Sequence, residues 1–263
     1  MSANLVVPTM AEMMARGEQP EVLFWVGCSG SFDDRAKKIT KAFVKILNRA
    51  NVSFAVLGTE EGCTGDPAKR AGNEFAFQMQ AMMNIQVLDG YEVKKIVTAC
   101  PHCFNTLKNE YPDLGGKYEV VHHTQFLKSL LDDGRLTIEG GQFKGKRITF
   151  HDPCYLGRAN QVYEAPRQLI EKLDAELVEM KRSRQNGFCC GAGGAQLFKE
   201  PEHGTKEVHV ERTEEAIGTN AEIIAAGCPF CNTMLTDGVK FKEKESSVKV
   251  LDVAELIANA EDL

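Results

Sequence analysis

Two tandem α/β domains related by duplication, each built on a parallel sheet, are what this sequence predicts. Three observations lead there. Nine cysteines fall into two sets with almost one offset: Cys28 and Cys154 stand 126 positions apart, as do Cys63 and Cys189, and Cys100–Cys228 and Cys103–Cys231 each stand 128 apart. The surrounding sequence recurs with them, CPHCFNTL at 100–107 matching CPFCNTML at 228–235, and GCTGDP at 62–67 corresponding to CCGAGG at 189–194. In both halves short apolar runs alternate with amphipathic stretches, the pattern of strands and helices in a sheet covered on both faces.

The elements follow in order. EVLFWVGC (21–28) is an apolar run ending in Gly-Cys. A helix follows, with Ala36, Ile39, Phe43, Ile46, Leu47 and Ala50 on one face and Asp33 and Asp34 suited to its first turn. SFAVLG (53–58), KKIVTAC (94–100) and YEVVH (118–122) read as strands, with helices around 71–84 and 124–133. The second half repeats the order: RITFHDPC, a helix opened by Pro166, AELVEM, a helix near 205–217, AEIIAAGC and VKVLDV. A boundary is expected near 134–146, rich in Gly and polar residues. This gives an N-terminal arm (1–20), a first cysteine-rich domain (21–140) and a second (146–263), both Rossmann-like. Cys28, Cys100, Cys154 and Cys228 each follow an apolar strand, while Cys63 and the Cys189-Cys190 pair sit in Gly-rich loops that should follow further strands. Strand carboxyl ends form the binding crevice of such sheets, so distant cysteines are expected to meet there, near a crevice shared by the two domains.

Composition narrows the function. The chain has 263 residues, 43% hydrophobic and 8% aromatic, as in folded globular proteins. A formal charge of −6 argues against a nucleic-acid surface. The first twenty residues lack a basic segment followed by a long apolar core, and no apolar run reaches membrane-spanning length. A cytoplasmic protein is therefore expected, with peripheral membrane association through a partner left open. An odd number of cysteines in a reducing compartment fits disulfides poorly and metal or redox chemistry well.

Three chemistries compete for these thiols. CPHC (100–103) alone looks like the active tetrapeptide of a metal-free dithiol–disulfide oxidoreductase, but that reading leaves seven cysteines unexplained. Zinc takes four thiolates in a tetrahedron and fits the first half, where it would make a structural assembly module. The second half offers five thiols, one more than zinc needs. An iron–sulfur cluster uses one thiolate per iron, and its negative charge favours the N–H groups of a strand–CPxC–helix arrangement. Gly191, Gly193 and Gly194 would let the chain pass close to a bulky inorganic group.

The pattern C-x34-CCG-x36-C-x-x-C, written by Cys154, Cys189, Cys190, Gly191, Cys228 and Cys231, resembles the cysteine-rich CCG domain, as do HDPCYLGR and CCGAGG. That domain occurs twice in one component of methanogen heterodisulfide reductase, and also in the iron–sulfur subunits of glycolate oxidase and in lactate-utilization proteins. A His often stands in the family where this chain has Tyr155. The resemblance covers about 21–260 and implies an iron–sulfur oxidoreductase subunit, active within a complex. It implies a non-cubane [4Fe-4S] cluster on Cys154, Cys189, Cys190, Cys228 and Cys231. In the first half Thr64 replaces the second cysteine of the pair. Cys28, Cys63, Cys100 and Cys103 are then expected to hold an ordinary [4Fe-4S] cluster, zinc or nothing.

Other polar residues near the thiols have ordinary readings beside functional ones. His102 and His151 are ligand candidates or simply residues at a helix start and a strand end. His122 and His123 read as a strand end. Asp66 and Asp152 read as turn caps, and Arg70 and Arg158 as anion-attracting or solvated. MAEMMAR (10–16) reads equally as a partner-docking helix or as one packed on its own domain. The chain has neither the G-x-G-x-x-G fingerprint nor the tightly spaced ferredoxin cysteine run. A flavoprotein or ferredoxin-like iron–sulfur subunit is therefore expected to supply electrons. The substrate is left open among a disulfide, a quinone and a 2-hydroxy acid.

Overall fold

The computed structural model describes residues 5–139, 141–200 and 203–263. Met1–Asn4 of the expected arm and Gly140 of the expected boundary lie outside the described residues. The chain divides into two compact units, Met1–Thr137 and Ile138–Leu263.

In the first unit four short strands, β1 (Val22–Trp25), β2 (Phe54–Ala55), β3 (Lys95–Thr98) and β4 (Glu119–His122), form a sheet of order β2-β1-β3-β4, all parallel. β1 is buried at all four residues, as expected of a strand covered on both faces. Helix α1 (Met10–Ala15) buries Met10 and Met13 within this unit, and Met10 N–H donates to the Val56 carbonyl. Next come α2 (Gly27–Phe32) and α3 (Ala36–Arg49). α3 starts at Ala36 rather than Asp33, because the Asp33 carboxylate stays outside the helix and accepts from Ala36 N–H at 2.7 Å. It buries Ile39, Phe43, Ile46 and Leu47, one face at helical spacing, and the Phe43 ring packs edge-on against Phe24 at 5.0 Å. Full burial of each such side chain is worth about 1.5–3 kcal/mol. α4 (Asp66–Arg70) precedes α5 (Glu74–Gly90), which starts where Asn73 accepts from Ala76 N–H. α6 (Pro101–Asn105) follows β3, and α7 (His123–Asp132) follows β4.

The second unit repeats the topology. Its strands β5 (Arg147–Phe150), β6 (Glu176–Leu177), β7 (Ile223–Ala226) and β8 (Lys249–Asp252) take the order β6-β5-β7-β8, again all parallel. Its helices are α8 (Glu164–Glu171), α9 (Val208–Ile217), α10 (Pro229–Phe241) and α11 (Val253–Ala260). Pro166 is the third residue of α8, still within the first turn. The repeat extends to helix caps. His122 ends β4 and caps α7 in a capping box with Gln125, and Asp252 ends β8 and caps α11 in the same way with Glu255. No helix among the described residues is long and apolar enough to cross a membrane.

Candidate metal centre

In the first unit three strand ends deliver the thiols. Cys28 lies in α2, one turn past β1, Cys63 in the loop after β2, and Cys100 and Cys103 at the start of α6 after β3. Gly27 takes φ +78°, a conformation that favours glycine, and a Cβ there would stand 3.4 Å from Cys103 Sγ. The Glu61 carboxylate accepts from the N–H groups of Val26 and Gly27 at 2.9 and 2.6 Å, tying the Cys63 loop to the Cys28 turn. Asn84 of α5 donates to the Cys63 carbonyl at 2.8 Å, and the Tyr111 hydroxyl donates to the Thr64 carbonyl at 3.2 Å.

The four thiols interact. The Cys28 thiol bonds to Cys63 and holds its pKa near 7 against the opposing effect of burial, with help from Gly65 N–H, which donates to Cys63 Sγ at 3.4 Å. The same bond, together with burial, pushes Cys28 up. Cys103, buried, is pushed up by its bond to Cys100, by burial and by the charges of Cys100, Cys28 and Cys63.

The second unit assembles five thiols on the same plan: Cys154 after β5, Cys189 and Cys190 in the loop beyond β6, and Cys228 and Cys231 around the start of α10 after β7. Cys154 and Cys190 both bond to Cys189 and push its pKa far down, with the Gly191 N–H donating to it at 3.2 Å. Cys231 bonds to Cys190 and Cys228 and is pushed well up. Corresponding thiols of the two units, Cys63 and Cys189, are both lowered by bonds from neighbouring thiols. Each accepts from a glycine two residues on whose φ lies near +90°, Gly65 at +87° and Gly191 at +91°. A thiolate that receives a backbone N–H is the ligand state soft metals require.

Thr64 corresponds to Cys190. Its buried hydroxyl reaches Cys103 Sγ at 3.9 Å, repeating with oxygen the Cys190–Cys231 contact of the second unit.

The neighbouring polar residues are held by ion pairs and hydrogen bonds. In the first unit His102 Nδ1 bonds Asp66 at 2.9 Å, Arg70 pairs with Asp66 at 3.0 Å and also with Glu110, and burial is outweighed so that Asp66 stays below its usual range. His122 and His123 are buried at the β4–α7 junction and bond each other at 3.2 Å. In the second unit Asp152 does more than cap a turn. It pairs in bidentate fashion with Arg167 at 2.8 and 2.9 Å and accepts from Arg184 N–H at 2.7 Å. Arg167, 1% exposed, also bonds Glu179. The exposed Arg158 donates to the Gly187 carbonyl at 2.6 Å. His151 is fully buried. Burial, then the nearby Arg212, lowers its pKa to about 3, so it is neutral at neutral pH. Its Nδ1 accepts from Arg212 Nε at 3.0 Å, and one of its ring nitrogens lies within 4.8 Å of both Cys190 Sγ and Cys231 Sγ. Asn84, Tyr111, Arg167 and Arg212 carry no spacing signal that the sequence offers, since each lies on an element away from the cysteines, whereas Glu61 stands two residues before Cys63 in the same loop.

The donor set fits a thiophilic inorganic group. In the second unit two donors, His151 Nε2 and Asn232 Nδ2, are buried without a hydrogen-bond partner among the described residues. A site that holds an inorganic core with several acceptor atoms would satisfy such donors.

The sequence profile of the CCG cysteine-rich domain matches residues 22–108 and 148–236. The chain is 49% identical over 97% of its length to the probable iron-sulfur-binding oxidoreductase FadF of Bacillus subtilis, 36% of which it covers. It is 44% identical over 93% of its length to the EtfAB:quinone oxidoreductase of Syntrophomonas wolfei, covering 35% of that protein. It is 34% identical over 92% of its length to one component of the dihydromethanophenazine:CoB–CoM heterodisulfide reductase of Methanosarcina barkeri, covering 59% of that component. The chain therefore spans between about a third and three-fifths of these relatives.

Proposed function

The chain belongs to the CCG cysteine-rich domain family, carrying the domain twice, and from that premise we propose that it is the iron–sulfur electron-transfer unit of a larger oxidoreductase. The observation that carries this reading is the convergence of five thiols, from strand ends far apart in sequence, in the second unit. Cys154, Cys189, Cys190, Cys228 and Cys231 hold one cluster, and Cys28, Cys63, Cys100 and Cys103 hold a second metal group. Bound there, an iron–sulfur cluster supplies one-electron chemistry. The chain supplies the thiolates, the Gly65 and Gly191 N–H groups that stabilise negative charge on sulfur, and the buried surroundings that set the potential. The names of the relatives favour a place in a multi-subunit path, with a quinone or a disulfide at one end. A flavoprotein or another iron–sulfur subunit would supply the other end.

Protein isolated without air is expected to be brown, with visible absorbance that bleaches on reduction, and to contain iron and sulfide. Colourless protein with stoichiometric zinc in both units would overturn the reading. Zinc confined to the first unit would leave the second-unit assignment standing, since four thiols suit tetrahedral zinc.

Thr64→Cys tests the asymmetry between units. Its hydroxyl keeps its proton at neutral pH and cannot act as a thiolate, so the first site is expected to differ spectroscopically from the second. The added thiol, already placed beside Cys103, should shift the first site's EPR signal toward that of the second. Identical signals from both sites in the wild type would remove the basis for the distinction.

A further inference from the structure

We propose that His151 is a hydrogen-bond donor to the inorganic core of the second unit, fixed in that role by Arg212, and that it raises this site's reduction potential. The inference rests on the iron–sulfur reading of the same site. A guanidinium has only donors, so His151 Nδ1, which faces Arg212 Nε at 3.0 Å, must present its lone pair. The proton of the neutral ring then sits on Nε2. That N–H is buried and has no partner among the described residues. A ring nitrogen of the same side chain lies within 4.8 Å of the sulfurs of Cys190 and Cys231. A buried donor left without an acceptor is destabilising, and sulfur of a bound core is the acceptor at hand. The same bonding argues against His151 as a ligand, because ligation through Nε2 would require that nitrogen to lose its proton.

Arg212 is itself held in place. It is fully buried, donates to the Arg182 carbonyl at 2.8 Å and pairs with Glu215 at 2.9 Å. The imidazole is therefore locked before any metal arrives. The first unit carries a parallel. Trp25 stands 126 positions before His151, the offset of the first cysteine pairs, and its indole Nε1–H is likewise buried without a partner among the described residues. Each unit thus keeps a ring N–H three residues before its first cysteine.

A hydrogen bond to a cluster sulfur stabilises the reduced, more negative state and raises the potential. His151→Phe should therefore lower the midpoint of the second site, making its reduction about tenfold less favourable, ~59 mV for one electron. The first site should be unmoved. His151→Gln, which keeps an N–H donor, should recover part of the shift. Nitrogen-15 NMR of the metal-free wild type should find the proton on Nε2, and Arg212→Met should release that tautomer. Where His151→Phe takes up no iron, the tautomer decides: a proton on Nδ1 overturns the proposal. An unchanged midpoint in a fully loaded variant also overturns it, as does direct nitrogen hyperfine coupling from His151 as a ligand. A wild type that binds no iron overturns the underlying functional reading as well, and is told apart by metal analysis before any potential is measured.

Discussion

Cys190→Ser is expected to empty the second-unit site. Cys190 is buried and bonds both Cys189 and Cys231, so it ties its own loop beyond β6 to the start of α10. Serine offers a hard, protonated oxygen that soft metals bind poorly. Loss of a direct ligand should exceed the 10–100-fold weakening of metal binding, an order-of-magnitude figure, that follows removal of an outer-shell partner. Iron content should fall to that of the first unit alone, with the second unit's EPR signal lost. Retained iron with an unchanged spectrum would show that Cys190 is not a ligand, and that the pair contributes one thiol.

The second large effect is on stability. Arg167 and Asp152 are both almost fully buried and joined by two hydrogen bonds. Arg167→Met leaves the Asp152 carboxylate with the Arg184 N–H alone. Stranding a buried charge in this way costs about 3–5 kcal/mol. The Glu179 contact, at 35% exposure, adds little, about 0–1 kcal/mol. Adding Asp152→Asn should recover much of the loss, because the carbonyl oxygen still accepts from Arg184 and no charge is left behind. The measurement is the urea midpoint of the second unit's transition in metal-free, reduced protein. A midpoint unchanged in Arg167→Met would mean that the pair is no part of the fold's stability.

The repeat made much of this legible in the sequence. Strands leading to Cys28, Cys100, Cys154 and Cys228 follow from apolar runs, although β1, β3, β5 and β7 stop two to four residues short of those cysteines, and the matching offsets pair the cysteines of the two units. The order β2-β1-β3-β4 was not legible, because β2 and β6 pair through only two residues each. The polar framework was hidden for another reason. Arg167 and Arg212 occupy helices whose sequence reads as solvated, and only the folded chain brings their guanidinium groups to Asp152 and His151. Helix α2 was missed because it begins at a glycine with positive φ and carries no periodic apolar face. Met10 and Met13 resolve the two readings of the N-terminal methionines in favour of packing within their own unit.

Each thiol set is gathered from the ends of three different strands, in the first unit from positions 28 to 103. Ligands crowded into a few residues could capture a metal on a nascent, unfolded chain. Here the contacts that make the pocket are non-local and pay their loop-closure entropy only when the whole sheet forms. Folding is therefore expected to precede metal loading. In that interval the folded chain displays the half-buried thiols of Cys63 and Cys189, both already inclined to ionise. Thiolates of this kind are the ones oxidants attack first. The folded chain without its metal group is thus expected to be the form most open to oxidation.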